Sequence, residues 1–106
     1  MTYIRAKQNS EDEIKLINTL VELVLSQLDS KLYSSIYDAK NDFEDVALNF
    51  MESDRRFNFL TSISSECQSK LFTTYFSTIN GNEYAIEIKF SVKYYTSPSA
   101  GYVYEA

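Results

Sequence analysis

The dipeptide Asn80-Gly81 lies between two runs of alternating apolar and polar residues, and it constrains the fold of this chain more than any other feature. Both residues accept the positive φ that a tight β-hairpin turn needs. Leu71 to Ile79 and Tyr84 to Tyr94 therefore read as antiparallel neighbours. In the second run Tyr84, Ile86, Ile88, Phe90, Val92 and Tyr94 point one way and Ala85, Glu87, Lys89, Ser91, Lys93 and Tyr95 the other, which is the period of a half-buried strand. A two-residue type I′ turn pairs Ile79 with Asn82 and sets Tyr75 against Ile86 and Leu71 against Phe90 on the buried side. A three-residue loop reverses the parity and turns Phe72 and Phe76 inward.

Around the hairpin the signals are shorter. Phe57 to Ile63 reads as a first strand, and the serine-rich stretch Ser62 to Cys67 as the turn that follows it. Ser97 to Gly101 holds the single proline and one of the two glycines, so it reads as a loop. Tyr102-Val103-Tyr104 then returns as an edge strand or trails as a tail, and Tyr3-Ile4 fits a short N-terminal strand.

The first half has helical periodicity. Ser10 and Glu13 have capping-box spacing, and Glu11 and Asp12 suit the positive end of a helix dipole, so the first helix is expected from about Glu11 to Leu28. Ile14, Ile17, Val21, Val24 and Leu28 form one stripe; Leu16, Leu20 and Leu23 form a second beside it. Together they cover roughly 200° of the circumference, about twice what one core contact needs. Either the sheet and a second helix cover both sides, or the Ile14–Leu28 stripe is the seam of a homodimer. The second helix begins after Ser34 or Ser35, with Asp38 as the capping partner, and ends near Glu52. It buries Ile36, Ala39, Phe43, Val46, Ala47 and Phe50.

The fold class that follows is α+β: two consecutive helices packed on a three- to four-stranded antiparallel sheet. A chain of 106 residues, 44% apolar and 24% charged, is one domain spanning 1–106, with a helical half at about 10–53 and a sheet half at about 56–106. Its charge follows the same division. Eleven acids face five bases in residues 1–54, whereas four acids face five bases in 55–106, so the net −5 belongs to the helical half.

Composition removes many chemistries. There is no histidine to act as general base and a single cysteine, Cys67, so neither an imidazole-activated nucleophile nor a Cys/His zinc cage can be assembled. Gly81 and Gly101 are too far apart for a phosphate-binding glycine loop. No catalytic residue, metal ligand or cofactor is assigned, and the chain reads as a non-enzyme. No apolar stretch approaches the ~20 residues of a membrane span and no signal peptide opens the chain, so a cytoplasmic protein without membrane contact is expected. The acidic balance also lacks the basic cluster that direct nucleic-acid binding needs.

Two surface features remain as candidate sites. Asp38, Asp42, Asp45 and Glu52 share one face of the second helix, an acidic ridge suited to a protein partner with a basic surface. Tyr94, Tyr95, Tyr102 and Tyr104 form an aromatic cluster if the chain folds back after Gly101, and tyrosine supplies rigid contact area at interfaces. The expected function is a small acidic interaction protein that binds and inhibits or modulates another macromolecule, in the manner of phage inhibitors of host defence or immunity proteins. The alternative is a small-molecule-binding module with an aromatic-lined pocket between sheet and helices or between subunits, where Arg55 or Arg56 would hold an anion.

Overall fold

A computed structural model describes the backbone of residues 2–90 and 99–106, and the side chains of those spans from Glu11 onward. Helices α1 (Thr2–Leu28) and α2 (Ile36–Ser53) lead through a 3-10 turn at Arg55–Phe57 into strands β1 (Leu60–Cys67), β2 (Leu71–Thr78) and β3 (Glu83–Lys89), followed by the short pieces β4 (Ser99–Ala100) and β5 (Tyr104–Glu105). The sheet order is β1-β2-β3, with β4 and β5 both pairing with the outer edge of β3. All these pairings are antiparallel, so the fold is α+β with two helices on one face of an antiparallel sheet.

The hairpin exists, but its loop has three residues. Phe76 pairs with Tyr84 and Phe72 with Ile88, so Phe72 and Phe76 face the helices, and the type I′ register with Tyr75 against Ile86 is not formed. The Thr78 N–H donates to the Asn82 carbonyl at 3.0 Å, and the Gly81 N–H donates to the Thr78 carbonyl at 3.1 Å. This is a type I turn followed by a residue at positive φ, Gly81 at 81°, while Asn80 keeps negative φ.

The core is a single cluster. Phe43, Phe57, Phe72, Phe76 and Tyr84 are fully buried between the layers, and Phe90 stacks on Phe72 at 5.9 Å. The Ile14–Leu28 stripe belongs to this cluster: Ile17, Val21, Val24 and Leu28 are buried and Ile14 packs against them. Leu20 of the second stripe is buried too and Leu23 packs partly buried against the cluster, so most of the wide apolar arc is taken up within one chain. Four of the five residues of the Ile14–Leu28 stripe thus pack against the chain's own core, and Ile14 stays partly exposed.

Three boundaries differ from expectation. α1 starts at Thr2, so Tyr3-Ile4 is helical rather than a strand and Ser10 lies inside the helix rather than at its start. β1 runs through the serines to Cys67, and the reversal expected there is made instead at Ser69-Lys70, where the Gln68 N–H donates to the Leu71 carbonyl at 2.8 Å. The C-terminal segment folds back on β3 in two pieces: Ala100 pairs with Ile88, whereas Tyr104 pairs with Ala85, a shift of one residue. The extra residue re-aims the chain so that Val103 packs on the core and Tyr102 is left 94% exposed. α2 matches expectation, with Ser35 as its N-cap accepting from the Asp38 N–H.

Candidate functional site

The orientation of α2 decides what its acids can reach. Its apolar face, centred on Ala39, Phe43 and Ala47, lies on the sheet with Phe43 against Phe72 at 5.5 Å. Asp42 lies on the shoulder turned toward α1, where its carboxylate accepts from the Tyr33 hydroxyl at 2.6 Å and the Lys31 ammonium at 3.2 Å. Both donors come from the segment joining the two helices. At 100° per residue from Phe43, Asp45 and Glu52 then point away from the sheet, Asp38 stands between them and Asp42, and Glu44 and Tyr37 fall on the other shoulder, above β1, with Leu48 at its upper rim, as far from the core face as Asp38.

Of the ridge, Asp38, Asp45 and Glu52 are exposed. Asp38 accepts from the Ser34 hydroxyl, whereas Asp45 and Glu52 form no ion pair among the described residues. Asp42 is half-buried and structurally engaged, so it contributes less free charge than the other three. Burial and the adjoining Asp42 carboxylate push the Tyr33 hydroxyl well above the ordinary phenol range. Tyr33 also meets Phe90 edge-on at 5.4 Å, so one side chain ties the interhelical segment to α2 through its hydroxyl and to Phe90, just past β3, through its ring.

The tyrosines are not gathered beside the ridge. Tyr102 and Tyr104 are exposed on the segment beyond β3, at the opposite margin of the sheet from β1, over which α2 packs. Tyr94 and Tyr95 lie outside the described residues. On the face of the sheet turned from the helices, Tyr75 sits near Glu66 and Tyr104, and the Glu66 charge raises its hydroxyl pKa.

One group that the sequence reading placed elsewhere is Glu13. It is only 4% exposed, in phase with Ile17, Leu20 and Val24 on the buried side of α1. Its carboxylate accepts from Asn82 Nδ2 at 2.8 Å, the Tyr84 hydroxyl at 2.7 Å and Asn80 Nδ2 at 2.9 Å. Burial pushes the Glu13 carboxyl up, but hydrogen bonds from Asn82, Tyr84, Asn80 and Thr78 outweigh it, and the net displacement is downward. The sequence signal was a charged residue on the apolar stripe, which a capping assignment concealed.

Arg56 is held by Asp54 through a bidentate pair, with its Nη2 2.7 Å from Oδ2, and its guanidinium lies over the Phe57 ring at 5.2 Å. That pairing lowers the Asp54 pKa and raises that of Arg56. Two depressions lie along the β3 margin. One of about 270 Å³ is bounded by Gly81, Asn82, Glu83, Glu105 and Ala106, and one of about 170 Å³ by Glu87, Lys89, Ser99, Ala100 and Gly101. Neither has an aromatic lining. Among the described residues no group of three or more Cys, Asp or Glu could hold a metal ion, and no helix is long and apolar enough to cross a membrane. No protein-family model, curated protein or solved structure matches the chain.

Proposed function

We propose that this chain is an interaction protein without catalytic activity, which binds a macromolecular partner through the outward face of α2 and thereby inhibits or modulates it. The observation that carries the reading is the set of three exposed carboxylates, Asp38, Asp45 and Glu52, on a helix whose opposite face is locked into the core. Fourteen residues of helix separate the first from the last, about 21 Å at 1.5 Å per residue. A fixed row of negative charge of that length complements a basic protein surface and accelerates encounter with it in a salt-dependent way. The ridge acts alone in this reading, because Tyr102 and Tyr104 lie at the far margin of the sheet. A phage inhibitor of host defence or an immunity protein is the kind of molecule that works by such a surface.

The test is capture from lysate of the source cell by the wild-type chain and by an Asp38→Asn, Asp45→Lys, Glu52→Lys variant, each at low and physiological salt. The reading expects a basic protein that the wild type retains, that elutes as salt rises and that the variant binds at least tenfold more weakly. Equal retention by both chains would remove the ridge from the function.

A further inference from the structure

We infer that the outer edge of β1, together with the adjoining shoulder of α2, is a self-association surface whose occupant is a second copy of this chain. The two edges of the sheet are treated differently by the fold. The outer edge of β3 is covered by the chain's own C-terminal segment, whereas β1 ends the strand order with nothing described beyond it. β1 pairs with β2 in unbroken register from Ser62 to Cys67. Because the Gln68 N–H is directed at β2, alternation along the strand directs the backbone N–H and C=O groups of Ile63, Ser65 and Cys67 to the open side. Edge protection is confined to one end: a register shift between Leu60 and Ser62 interrupts the start of β1, but from Ser62 onward the strand contains no proline, lysine or arginine, and its one charge is Glu66.

The occupant is indicated by charge and by the helix above the edge. In a two-fold antiparallel pairing centred on the straight part of β1, about Ser64 or Ser65, Glu66 falls opposite Ser62 or Ser64 of the other copy and never opposite its own counterpart. The same axis keeps the helices of both copies on one side and places the two α2 shoulders alongside each other, roughly 10 Å apart for helices over neighbouring strands. That shoulder carries Tyr37, 63% exposed, and Leu48, 40% exposed, beside a Lys40–Glu44 ion pair whose charges cancel. The exposed acids Asp38, Asp45 and Glu52 lie on the outward and opposite sides of α2, so the seam carries less free acid than the ridge. Pairing thus extends the sheet across the axis and buries the exposed apolar residues of α2, and it leaves the acidic ridges of both copies on one outer surface.

Sedimentation equilibrium on the full chain between about 1 and 200 µM tests this, combined with amide hydrogen exchange at both ends of the range. The expected result is a rise from the 12.3 kDa monomer to twice that mass, with the amides of Ile63, Ser65 and Cys67 slowed at least tenfold at the high concentration. Leu48→Glu, at an exposed position, should keep the monomer's circular dichroism and urea midpoint and weaken dimerisation at least tenfold. A chain that stays at monomer mass throughout overturns the inference. So does a dimer whose β1 amides exchange as fast as in dilute solution, or one indifferent to Leu48→Glu.

Discussion

Replacing Glu13 by alanine should cost more than any other single change at a charged residue of this protein. The carboxylate, at 4% exposure, accepts its close hydrogen bonds of 2.7 to 2.9 Å from Asn80, Asn82 and Tyr84. Hydrogen bonds to a charged group contribute about 1.5–3 kcal/mol each when measured singly, but those sharing one acceptor are not additive. Asn80 is exposed and Asn82 half-buried, so both amides regain water when the carboxylate is lost; Tyr84 is fully buried and does not. Counting Tyr84 in full and the two amides at a fraction gives about 2–4 kcal/mol, or a fall in Tm of about 10–20 °C for a domain of this size. Glu13→Gln keeps the volume and one acceptor oxygen but turns an NH₂ toward Asn80, and about 1–2 kcal/mol is expected. Urea unfolding across pH separates the charge from the shape. The folded pKa of Glu13 lies below its unfolded value of 4.5, so its contribution is present above that pH and is lost as pH falls through the folded value. The stability gap between wild type and Glu13→Gln should therefore narrow on acidification from pH 7. A Glu13→Ala loss below about 1 kcal/mol, or a gap that widens in acid, would refute the reasoning.

Other positions give smaller and independent tests. Tyr33→Phe removes the bond to Asp42 and should cost about 1 kcal/mol in urea. Because the folded Tyr33 hydroxyl titrates above the unfolded value of 10.0, its contribution is complete below that pH and is lost as pH rises toward the folded value, so spectrophotometric titration should show Tyr33 resisting ionisation in the native chain, and Asp42→Asn should ease this only in part because burial still opposes the phenolate. Ser30 sits at φ 66° just beyond α1, where glycine carries no steric penalty, so Ser30→Gly should raise the urea midpoint by about 0.5–1 kcal/mol, whereas Gly81→Ala, at φ 81°, should lower it by about 1–2 kcal/mol. Ser35→Ala removes the N-cap of α2 and should cost about 1 kcal/mol by the same measurement.

What the sequence disclosed was whatever a local rule governs. α2 was legible because Ser35, the apolar stripe and the acidic outer face all agree on one helix, and the inward set Tyr84, Ile86, Ile88 and Phe90 followed from strict alternation. The Asn80-Gly81 signal located the hairpin but not its loop length. Either turn type uses a glycine there, and the choice falls to the aromatic rings, since only the three-residue loop turns Phe72 and Phe76 into the core. The first strand was placed too early, at Phe57 to Ile63, and the second half of β1 was taken for a turn, because an edge strand needs little burial: Ile63, Ser65 and Cys67 are only half-buried, and serines between them satisfy a strand as well as a turn. The acidic ridge was legible as a face, but the engagement of Asp42 by Tyr33 and Lys31 depends on a loop path that no spacing encodes. Glu13 was misread because Ser10 and Glu13 satisfy a capping pattern, although the helix continues back to Thr2.

The Glu13 contacts also bear on the order of events in folding. Its donors lie 67 to 71 residues along the chain, so the cluster cannot form until α1 and the β2–β3 hairpin have come together. Contacts bridging so long a loop are made after the local elements and their first hydrophobic encounters, since loop-closure entropy must be met beforehand. A carboxylate completed that late affects the unfolding rate and leaves the folding rate almost untouched. In kinetic terms Glu13 is a bolt that closes behind the folded chain, setting how long the native state lasts rather than how quickly it is reached.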